Sequence, residues 1–425
     1  MKKAILSIFF CTNLLPFLQA QPVRELFPVN MPEAAGFMQD RLARIDRVIQ
    51  QYIDSGWIKG AVGFIAHDSK IVYDKAFGVA QPNVPMKTDD VFRIASQTKA
   101  ITSVAVMTLF EEGKFLLDDP ISKYIPAFAH PQVLDSFNEK DTTYTTKPAS
   151  REITIRDLLT HTSGLDYAQI GSPKMKAIYA KAGVEAGFVN KKKLLATDMD
   201  KLGKLPLAVN PGEKFIYSLS VDVLGRLVEV LSGMDLEQYM TTRIFQPLGM
   251  KDTYFNLPEA KASRLVTVFA PDPTTKKLIP WQPEMFPGTE VNYPLKHYGY
   301  YSGGAGLVST IKDYAIFLQI MLNGGEYNGK RILARHTVQL MTENQLGNIP
   351  FGDNGFGLGF EITSEKGSHK LGISPGSFSW GGFFGTLYWA DPKENIVALL
   401  FLQQSPLQHG ELHDKFRAMV YQALK

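Results

Sequence analysis

The β-strand-like segments of this 425-residue chain lie near its two ends, and a long helical stretch separates them. Near the start, residues 61–66 and 71–80 are rich in β-branched and aromatic residues, with turn-forming residues between them. Near the end, residues 356–362, 381–390 and 396–403 have the same character. Early and late strands can share one core only if they pair, so this order predicts a single antiparallel sheet built from both ends of the chain.

Helical patterns flank these strands. Residues 39–55 and 412–424 are amphipathic, and residues 96–113 are apolar on more than one side, which predicts a central, buried helix. The predicted fold class is α/β (α+β), an antiparallel sheet flanked by helices with a mostly helical insertion. The predicted domains are a sheet domain in two segments, 36–117 and 295–425, and an inserted helical domain, 118–294.

The first twenty residues have the pattern of a cleavable secretory signal. Two lysines begin it, residues 4–18 are apolar, and Ala20 supplies a small residue before the predicted cut. The apolar run is shorter than the roughly 20 residues that a spanning helix needs, and Pro16 interrupts it. We therefore predict a signal peptide at residues 1–20 and an exported protein, periplasmic or secreted, without a stable membrane anchor.

Composition narrows the chemistry further. The single cysteine, Cys11, lies within the leader, so the mature chain has no disulfide, thiol nucleophile or cysteine metal site. The charges nearly balance, with 45 Lys+Arg against 42 Asp+Glu, and the lysine run 191–193 is most simply a solvated helix face. A chain without a basic patch lacks the electrostatic footprint of a nucleic-acid-binding protein.

Two motifs of metal and nucleotide chemistry are absent from the sequence. The sequence has neither a P-loop nor a His-Glu-x-x-His zinc motif. His409 and His413 have the spacing to share a helix face, but no third ligand stands near them, so we interpret them as exposed residues at a helix start. The sequence therefore implies no metal and no cofactor.

A possible nucleophile elbow lies at residues 372–376, which fit the pattern G-x-S-x-G around Ser374. Asp391 and His409 even follow in the chain order of an α/β-hydrolase triad. An elbow, however, needs a backbone N–H directly after the serine, and Pro375 has none. A Pro-Gly turn between strands is the better interpretation.

A second serine motif, Ser-x-x-Lys, occurs twice, at Ser96–Lys99 and at Ser309–Lys312. At the second copy, Ser309 or the following threonine has the position of a helix N-cap, and Lys312 is expected to point to solvent. At the first copy, Lys99 lies one turn beyond Ser96 on the same face of the predicted central helix. Burial disfavours the charged ammonium, so a lysine there can take a proton from the serine hydroxyl. The alternative is a helix cap with a snorkelling lysine.

Four segments together favour the catalytic interpretation, and they stand in the order found in one family. They are Arg93-Ile-Ala-Ser-Gln-Thr-Lys-Ala100, Leu158-Leu-Thr-His-Thr-Ser-Gly-Leu165, Pro211-Gly-Glu-Lys-Phe-Ile-Tyr-Ser218 and Ser302-Gly-Gly-Ala-Gly-Leu-Val-Ser-Thr310. In these segments the chain resembles the serine β-lactamase-related family, which includes class C β-lactamases, DD-peptidases and the esterases built on the same fold. The resemblance covers residues 38–424.

The resemblance implies a mechanism. Ser96 would be acylated, Lys99 would act as base, and Tyr217 would relay the proton to the leaving group. Trp380-Gly381-Gly382 would stand for the Lys-Thr-Gly-like strand, and the backbone N–H groups of Phe383 and Ser96 would hold the oxyanion. His161, which follows a predicted helix end, is expected to be structural.

Two departures from the β-lactamase pattern bear on the substrate. Leu219 replaces the asparagine of Tyr-x-Asn, which removes an amide that would contact the substrate, and Trp380 replaces a lysine that helps to hold a carboxylate. Both changes resemble the esterase branch and favour a neutral or aromatic acyl substrate. We therefore predict an esterase-like serine hydrolase acting on a small ester or acyl substrate.

Three alternatives stay open at this point. Within the same mechanism, the chain could be a β-lactamase or a D-amino-acid peptidase that acts on a cell-wall peptide, or a transacylase that passes the acyl group to an alcohol or amine. From a different class, it could be a catalytically idle binder of cell-wall fragments. The retention of all three catalytic side chains in the sequence argues against the idle binder.

Overall fold

A computed structural model describes residues 25–189, 191–285 and 288–425. The leader predicted for residues 1–20, including Cys11, lies outside these ranges. Within them, no helix combines the length and the apolar character needed to cross a membrane.

The centre of the molecule is a nine-stranded sheet. Its strands follow in space the order Phe27–Pro28, Lys70–Gln81, Gly60–His67, Ile396–Phe401, Leu387–Asp391, Phe378–Gly381, Glu361–Ile362 and Gly355–Phe356, and Val84–Pro85 pairs with Lys70–Gln81. All pairs are antiparallel except the one at the Phe27–Pro28 edge. The early strand Gly60–His67 lies directly beside the late strand Ile396–Phe401, so the predicted fold class is confirmed.

Two strand predictions near the C-terminus were too coarse. The segment 381–390 is not one strand, because it spans the end of Phe378–Gly381, a turn and the strand Leu387–Asp391. The N–H of Gly382 donates to the carbonyl of Thr386 at 2.7 Å and closes the turn, in which Gly385 has a positive φ of 83°. Similarly, 356–362 contains two short paired strands. Apolar and aromatic residues in both turns concealed them from a pattern based on hydrophobicity.

Helices cover both faces of the sheet. The α-helices of the described residues are Gln39–Asp54, Thr98–Glu111, Ile155–Leu159, Pro173–Ala182, Leu195–Leu202, Ser220–Ser232, Leu236–Met240, Gln246–Leu248, Ile311–Leu322, Arg335–Met341, Glu365–Leu371 and Glu411–Tyr421. Side chains alternate across a strand, so neighbours in sequence enter different cores. Ile65 packs with the first and last helices of this list, whereas the adjacent Phe64 packs on the opposite face with Thr98–Glu111.

The helix Thr98–Glu111, here called the central helix, is buried from Thr98 to Leu109 and packs against the helix Ser220–Ser232. One core cluster joins these two helices to the sheet. The domain boundaries at 118 and 294 stay predictions. Between them the structure adds two hairpins that the sequence did not indicate, Gln132–Phe137 with Tyr144–Pro148 and Phe269–Pro271 with Leu278–Pro280.

The interpretation of the lysine run 191–193 as a solvated helix face is correct for the exposure of Lys191 and Lys192 but wrong for the helix and for Lys193. The helix begins only at Leu195, and the side chain of Lys193 is 10% exposed because its Nζ pairs with Asp198 Oδ2 at 2.6 Å. Asp198 is fully buried, and a buried carboxylate requires a compensating charge. Lys193 is drawn inward by the buried carboxylate of Asp198, so the sequence of the lysine run alone did not indicate its burial.

Candidate active site

Ser96 lies in a tight 3-10 turn, Ala95–Gln97, that leads into the central helix. Ala95 adopts a positive φ of 46°, which an L-residue rarely does and which marks local strain directly before the serine. Both neighbours of Ser96 are fully buried, while Ser96 itself is partly exposed. The turn therefore presents one hydroxyl to solvent from an otherwise closed surface.

Lys99 reaches the same point from inside. It is only 3% exposed, and its Nζ lies 3.4 Å from Ser96 Oγ and 2.7 Å from the carbonyl oxygen of Gly304. The Nζ also lies 4.5 Å from the centre of the Tyr217 ring and 5.4 Å from that of Tyr167. A carbonyl and two aromatic faces thus hold an amine that the rest of the fold keeps from water.

Tyr217 completes the group from the segment that precedes the helix Ser220–Ser232. Its hydroxyl donates to Ser96 Oγ at 2.6 Å. The ring is fixed on two sides, by the imidazole of His161 at 4.9 Å and by the indole of Trp380 at 5.6 Å between ring centres. The structure therefore brings together the three side chains that the sequence proposed as catalytic.

His161 supports Tyr217 rather than the serine. Its Nδ1 accepts from the backbone N–H of Ser218 at 3.2 Å, and its carbonyl accepts from the N–H of Ile216 at 2.8 Å. Burial, together with the charge of Lys99, lowers the pKa of His161 well below its ordinary value, so the imidazole is neutral. These contacts fix the backbone on both sides of Tyr217.

The strand Phe378–Gly381 carries Trp380 and Gly381 to the site, and Gly382 and Phe383 follow in the turn. A Cβ on Gly382 would lie 2.5 Å from the carbonyl oxygen of Ile94, so only glycine permits this approach to the turn that holds Ser96. Phe383 lines the cavity in front of Ser96. The position suits the predicted role of its N–H as an oxyanion donor, a role that stays a prediction.

A cavity opens in front of Ser96, and the empty space in it together with the open solvent at its mouth is about 440 Å³. The described residues that line it carry no charged side chain; they are Ser96, Tyr167, Gln169, Ile170, Ala186, Gly187, Phe188, Thr289, Ala305 and Phe383. Apart from Ser96, Phe383 and Ala305, which lies in the quoted segment 302–310, the sequence analysis did not single them out. They lie in loops without periodic patterning, and no local signal distinguishes a loop that lines a cavity from any other surface loop.

Comparison with known proteins decides the family. The Beta-lactamase family model matches residues 45–422, a range that contains the whole site. The chain belongs to the β-lactamase family.

Relatives in this family include proteins named as carboxypeptidases and a protein named as an esterase. Over 399 residues the chain is 32% identical to a putative D-alanyl-D-alanine carboxypeptidase of Escherichia coli (strain K12), covering 89% of this chain and 85% of the relative. Over 381 residues it is 29% identical to esterase EstB of Burkholderia gladioli, covering 84% and 89%. The solved structure of EstCE1, a hydrolase with promiscuous acyltransferase activity, aligns with a TM-score of 0.75 and 28% identity over 90% of this chain and 99% of that one. The family is thus one of β-lactamase-fold hydrolases.

One residue proposed for substrate binding lies elsewhere in this β-lactamase-family chain. Leu219 is fully buried, packs in the main core and is not among the residues that line the cavity. Its N–H donates to the carbonyl of Asp166 at 3.2 Å. The substitution of Leu for Asn therefore removes an amide without placing the leucine side chain in the cavity.

The Ser374 segment has a structural role in the fold. It forms a turn between the helix Glu365–Leu371 and the strand Phe378–Gly381, not between two strands as predicted. The carboxylate of Asp391 accepts from the Ser374 N–H at 3.4 Å and from the Tyr421 hydroxyl at 2.7 Å. His409 stacks on Trp57 with 4.2 Å between ring centres. Among the described contacts, no side-chain hydrogen bond joins these three residues into a triad.

Proposed function

We propose that this chain is an exported serine hydrolase that cleaves small esters through an acyl-enzyme on Ser96. The observation that carries the proposal is the hydroxyl of Tyr217, 2.6 Å from Ser96 Oγ, together with the Lys99 amine at 3.4 Å from the same atom. A serine in contact with two proton-handling groups and open to a cavity without charged lining is arranged for nucleophilic attack on an acyl carbon.

The acylation step follows from these contacts. Ser96 Oγ bonds to the acyl carbon while its proton passes to the neutral amine of Lys99, and the carbonyl oxygen takes the negative charge. The N–H groups of Ser96 and Phe383 would stabilise that oxyanion. When the tetrahedral intermediate collapses, the bond to the leaving alkoxide breaks, and Tyr217 relays the proton that Lys99 took to the alkoxide, which leaves as the alcohol and returns Lys99 to the neutral amine. Water then attacks the acyl-enzyme by the reverse proton path and releases the acid.

The lining of the cavity supports an ester over an anionic β-lactam. None of the described lining residues carries a positive charge to offset a carboxylate, and Trp380 stands where the family pattern has a lysine. Aromatic and aliphatic side chains such as Phe188 and Ile170 offer apolar contact to an acyl group instead. The name of EstB supports the same substrate class, and the acyltransferase activity named for EstCE1 supports acyl transfer to an acceptor other than water.

Export is part of the proposal and is supported by the leader pattern of residues 1–20 alone. A cell-wall peptide is the competing substrate, supported by the carboxypeptidase name of the Escherichia coli relative.

The purified mature chain should be tested against short-chain p-nitrophenyl esters, nitrocefin and a peptide that ends in D-Ala-D-Ala. We expect kcat/KM for the best ester to exceed that for nitrocefin by at least about tenfold, or ~1.4 kcal/mol of transition-state binding. Ser374→Ala is the control and should retain the activity of the parent, because Ser374 lies outside the cavity lining. Faster turnover of nitrocefin or the peptide than of any ester would overturn the ester preference. Loss of ester hydrolysis in folded Ser374→Ala would overturn the site itself.

A further inference from the structure

A buried carboxylate, Asp222, lies behind the catalytic lysine. It belongs to the first turn of the helix Ser220–Ser232, where the residues on either side, Val221 and Val223, are also buried. Asp222 itself is fully buried. Acidic residues are common in the first turn of a helix, where they face the free N–H groups of the same helix. Asp222 instead bonds to residues outside its own helix.

Asp222 bonds to a separate turn, which contains Ser302 and Gly304. Its Oδ1 accepts from the Ser302 hydroxyl at 2.6 Å and from the Gly304 N–H at 3.3 Å. The carbonyl of the same Gly304 accepts from Lys99 Nζ at 2.7 Å. Gly304 therefore contacts both groups: its N–H donates to Asp222, and its carbonyl accepts from Lys99.

The second oxygen of Asp222 faces the lysine. Oδ2 is buried and has no hydrogen-bond partner within the described residues. A Cβ built on Gly304 would lie 2.5 Å from this oxygen and 3.5 Å from Lys99 Nζ, so both charged atoms flank the space beside the glycine Cα. Any larger residue at 304 would fill the gap between carboxylate and amine.

The charge of Asp222 is costly unless something offsets it. Burial raises the pKa of Asp222, and the Ser302 hydrogen bond, the charge of Lys99 and the Gly304 N–H each act in the opposite direction. A buried carboxylate is retained at such a site when it compensates another charge. In the proposed acylation step, Lys99 becomes positive each time it takes the proton of Ser96.

We propose that Asp222 is a positioning residue for Lys99: it fixes the Ser302–Gly304 turn that orients the amine, and its carboxylate stabilises the positive charge that forms there during acylation. The inference rests on the proposed function, because it assumes that Lys99 accepts a proton.

The chain offers a matched pair of variants, Asp222→Asn and Asp313→Asn. Asp313 is also buried and likewise accepts from one backbone N–H and one hydroxyl, those of Asp252 at 2.7 Å and Thr253 at 3.0 Å. Asparagine can keep both hydrogen bonds at either position through its amide oxygen; it removes the charge and puts an NH2 group in place of the second carboxylate oxygen. We expect kcat for an ester to fall about 10- to 100-fold in Asp222→Asn with little change in KM, and to stay near the parent value in Asp313→Asn.

The pH profile separates positioning from a merely structural role. The titratable groups around Lys99 are Asp222, Tyr167, Tyr217 and His161. Of these, only Asp222 is a carboxylic acid, whose ionised form opposes the positive charge that the amine gains. In Asp222→Asn the acidic limb of kcat/KM should therefore move to lower pH, because protonation of the amine becomes less favourable. Loss of packing alone would lower the melting temperature and leave this limb in place.

A milder variant, Ser302→Ala, keeps the test decisive if Asp222→Asn does not fold. It removes one hydroxyl that reaches the site only through Asp222, and it should lower kcat in the same direction by a smaller factor. Where both fold, the double variant should be slower than Asp222→Asn alone, since the asparagine still accepts from Ser302 and the turn loses this bond only in the double variant. The inference is overturned if the parent is active while Asp222→Asn, or failing that Ser302→Ala, matches it in kcat and pH profile. An inactive, unlabelled parent would instead overturn the proposed function.

Discussion

Two segments of this chain share the spacing Ser-x-x-Lys, and in each the lysine is the second residue of a largely buried helix. At Ser96 the residues before the helix form a 3-10 turn, so the serine hydroxyl and the Lys99 amine come within 3.4 Å. Ser309 instead ends a short extended strand, and the following Thr310 caps the helix by accepting from the Asp313 N–H at 3.2 Å. Lys312 is exposed, as predicted.

The difference shows that the Ser-x-x-Lys spacing brings the two side chains onto one face only if the backbone between them is helical. Ser309 uses its hydroxyl for structure, with Thr253 at 2.8 Å, whereas the hydroxyl of Ser96 meets only the two proton-handling side chains among its described contacts. The same four-residue pattern therefore marks a reactive centre in one place and a helix start in the other.

The largest expected effect comes from the two serines. Ser96→Ala should lose at least about 1000-fold in kcat/KM for an ester, because it removes the nucleophile. Ser309→Ala should keep most of the activity and lose about 1 kcal/mol of stability with its hydrogen bond. Steady-state kinetics and thermal unfolding measure both. A fluorophosphonate should label the parent on the peptide that contains Ser96, and a label mapped to another peptide would refute the assignment.

The two lysines should differ by a smaller factor. Lys99→Ala should lose at least about 100-fold in kcat, because it removes the amine proposed to take the serine proton. Lys312→Ala, at an exposed position, should leave kcat and KM unchanged. Kinetics on the same ester measure the contrast. Equal activity of folded Lys99→Ala and Lys312→Ala would remove the distinction between the two segments.

The smallest effect concerns stability at the second segment. Burial raises the pKa of Asp313 to about 6, so the folded protein holds this proton more strongly than the unfolded chain does. The stability that the protonated Asp313 side chain contributes is complete at pH values below the pKa of Asp313 in the unfolded chain. It is lost as the pH rises through the folded pKa of about 6. The stability of the parent relative to Asp313→Asn should therefore fall by on the order of 1–2 kcal/mol between pH 4 and pH 7. Urea unfolding of both proteins at these pH values measures the change, and a constant difference would contradict it.

Periodic patterns and motif order made much of the fold predictable. Residues 39–55 and 96–113 were placed as helices within a few residues of the observed bounds, because both carry long, regular apolar patterns. The pairing of early with late strands followed from the order of segments. The turn within 381–390 was missed, since its residues are as apolar as the strands beside it.

The candidate site was predictable only where side chains carry their chemistry in the local sequence. Ser96, Lys99 and Tyr217 stand in motifs, and the structure brings them within hydrogen-bonding reach. Asp222 was missed because an acidic residue in a first helical turn has an ordinary explanation. The cavity residues, such as Tyr167, were missed because they owe their role to loops that meet only in three dimensions.

The adjacency of Gly60–His67 and Ile396–Phe401 has a consequence for how this protein is made. A ribosome releases the turn with Ser96 long before it reaches the residues that pair with Gly60–His67 and those that carry Trp380 and Phe383. Contacts so distant along the chain form slowly, since a long loop must close before they contribute. Throughout synthesis the nascent chain therefore carries its serine and lysine without the strand that completes the catalytic cleft. Under the proposed function, hydrolytic competence arises only at the last stage of folding, after nearly the whole polypeptide has left the ribosome.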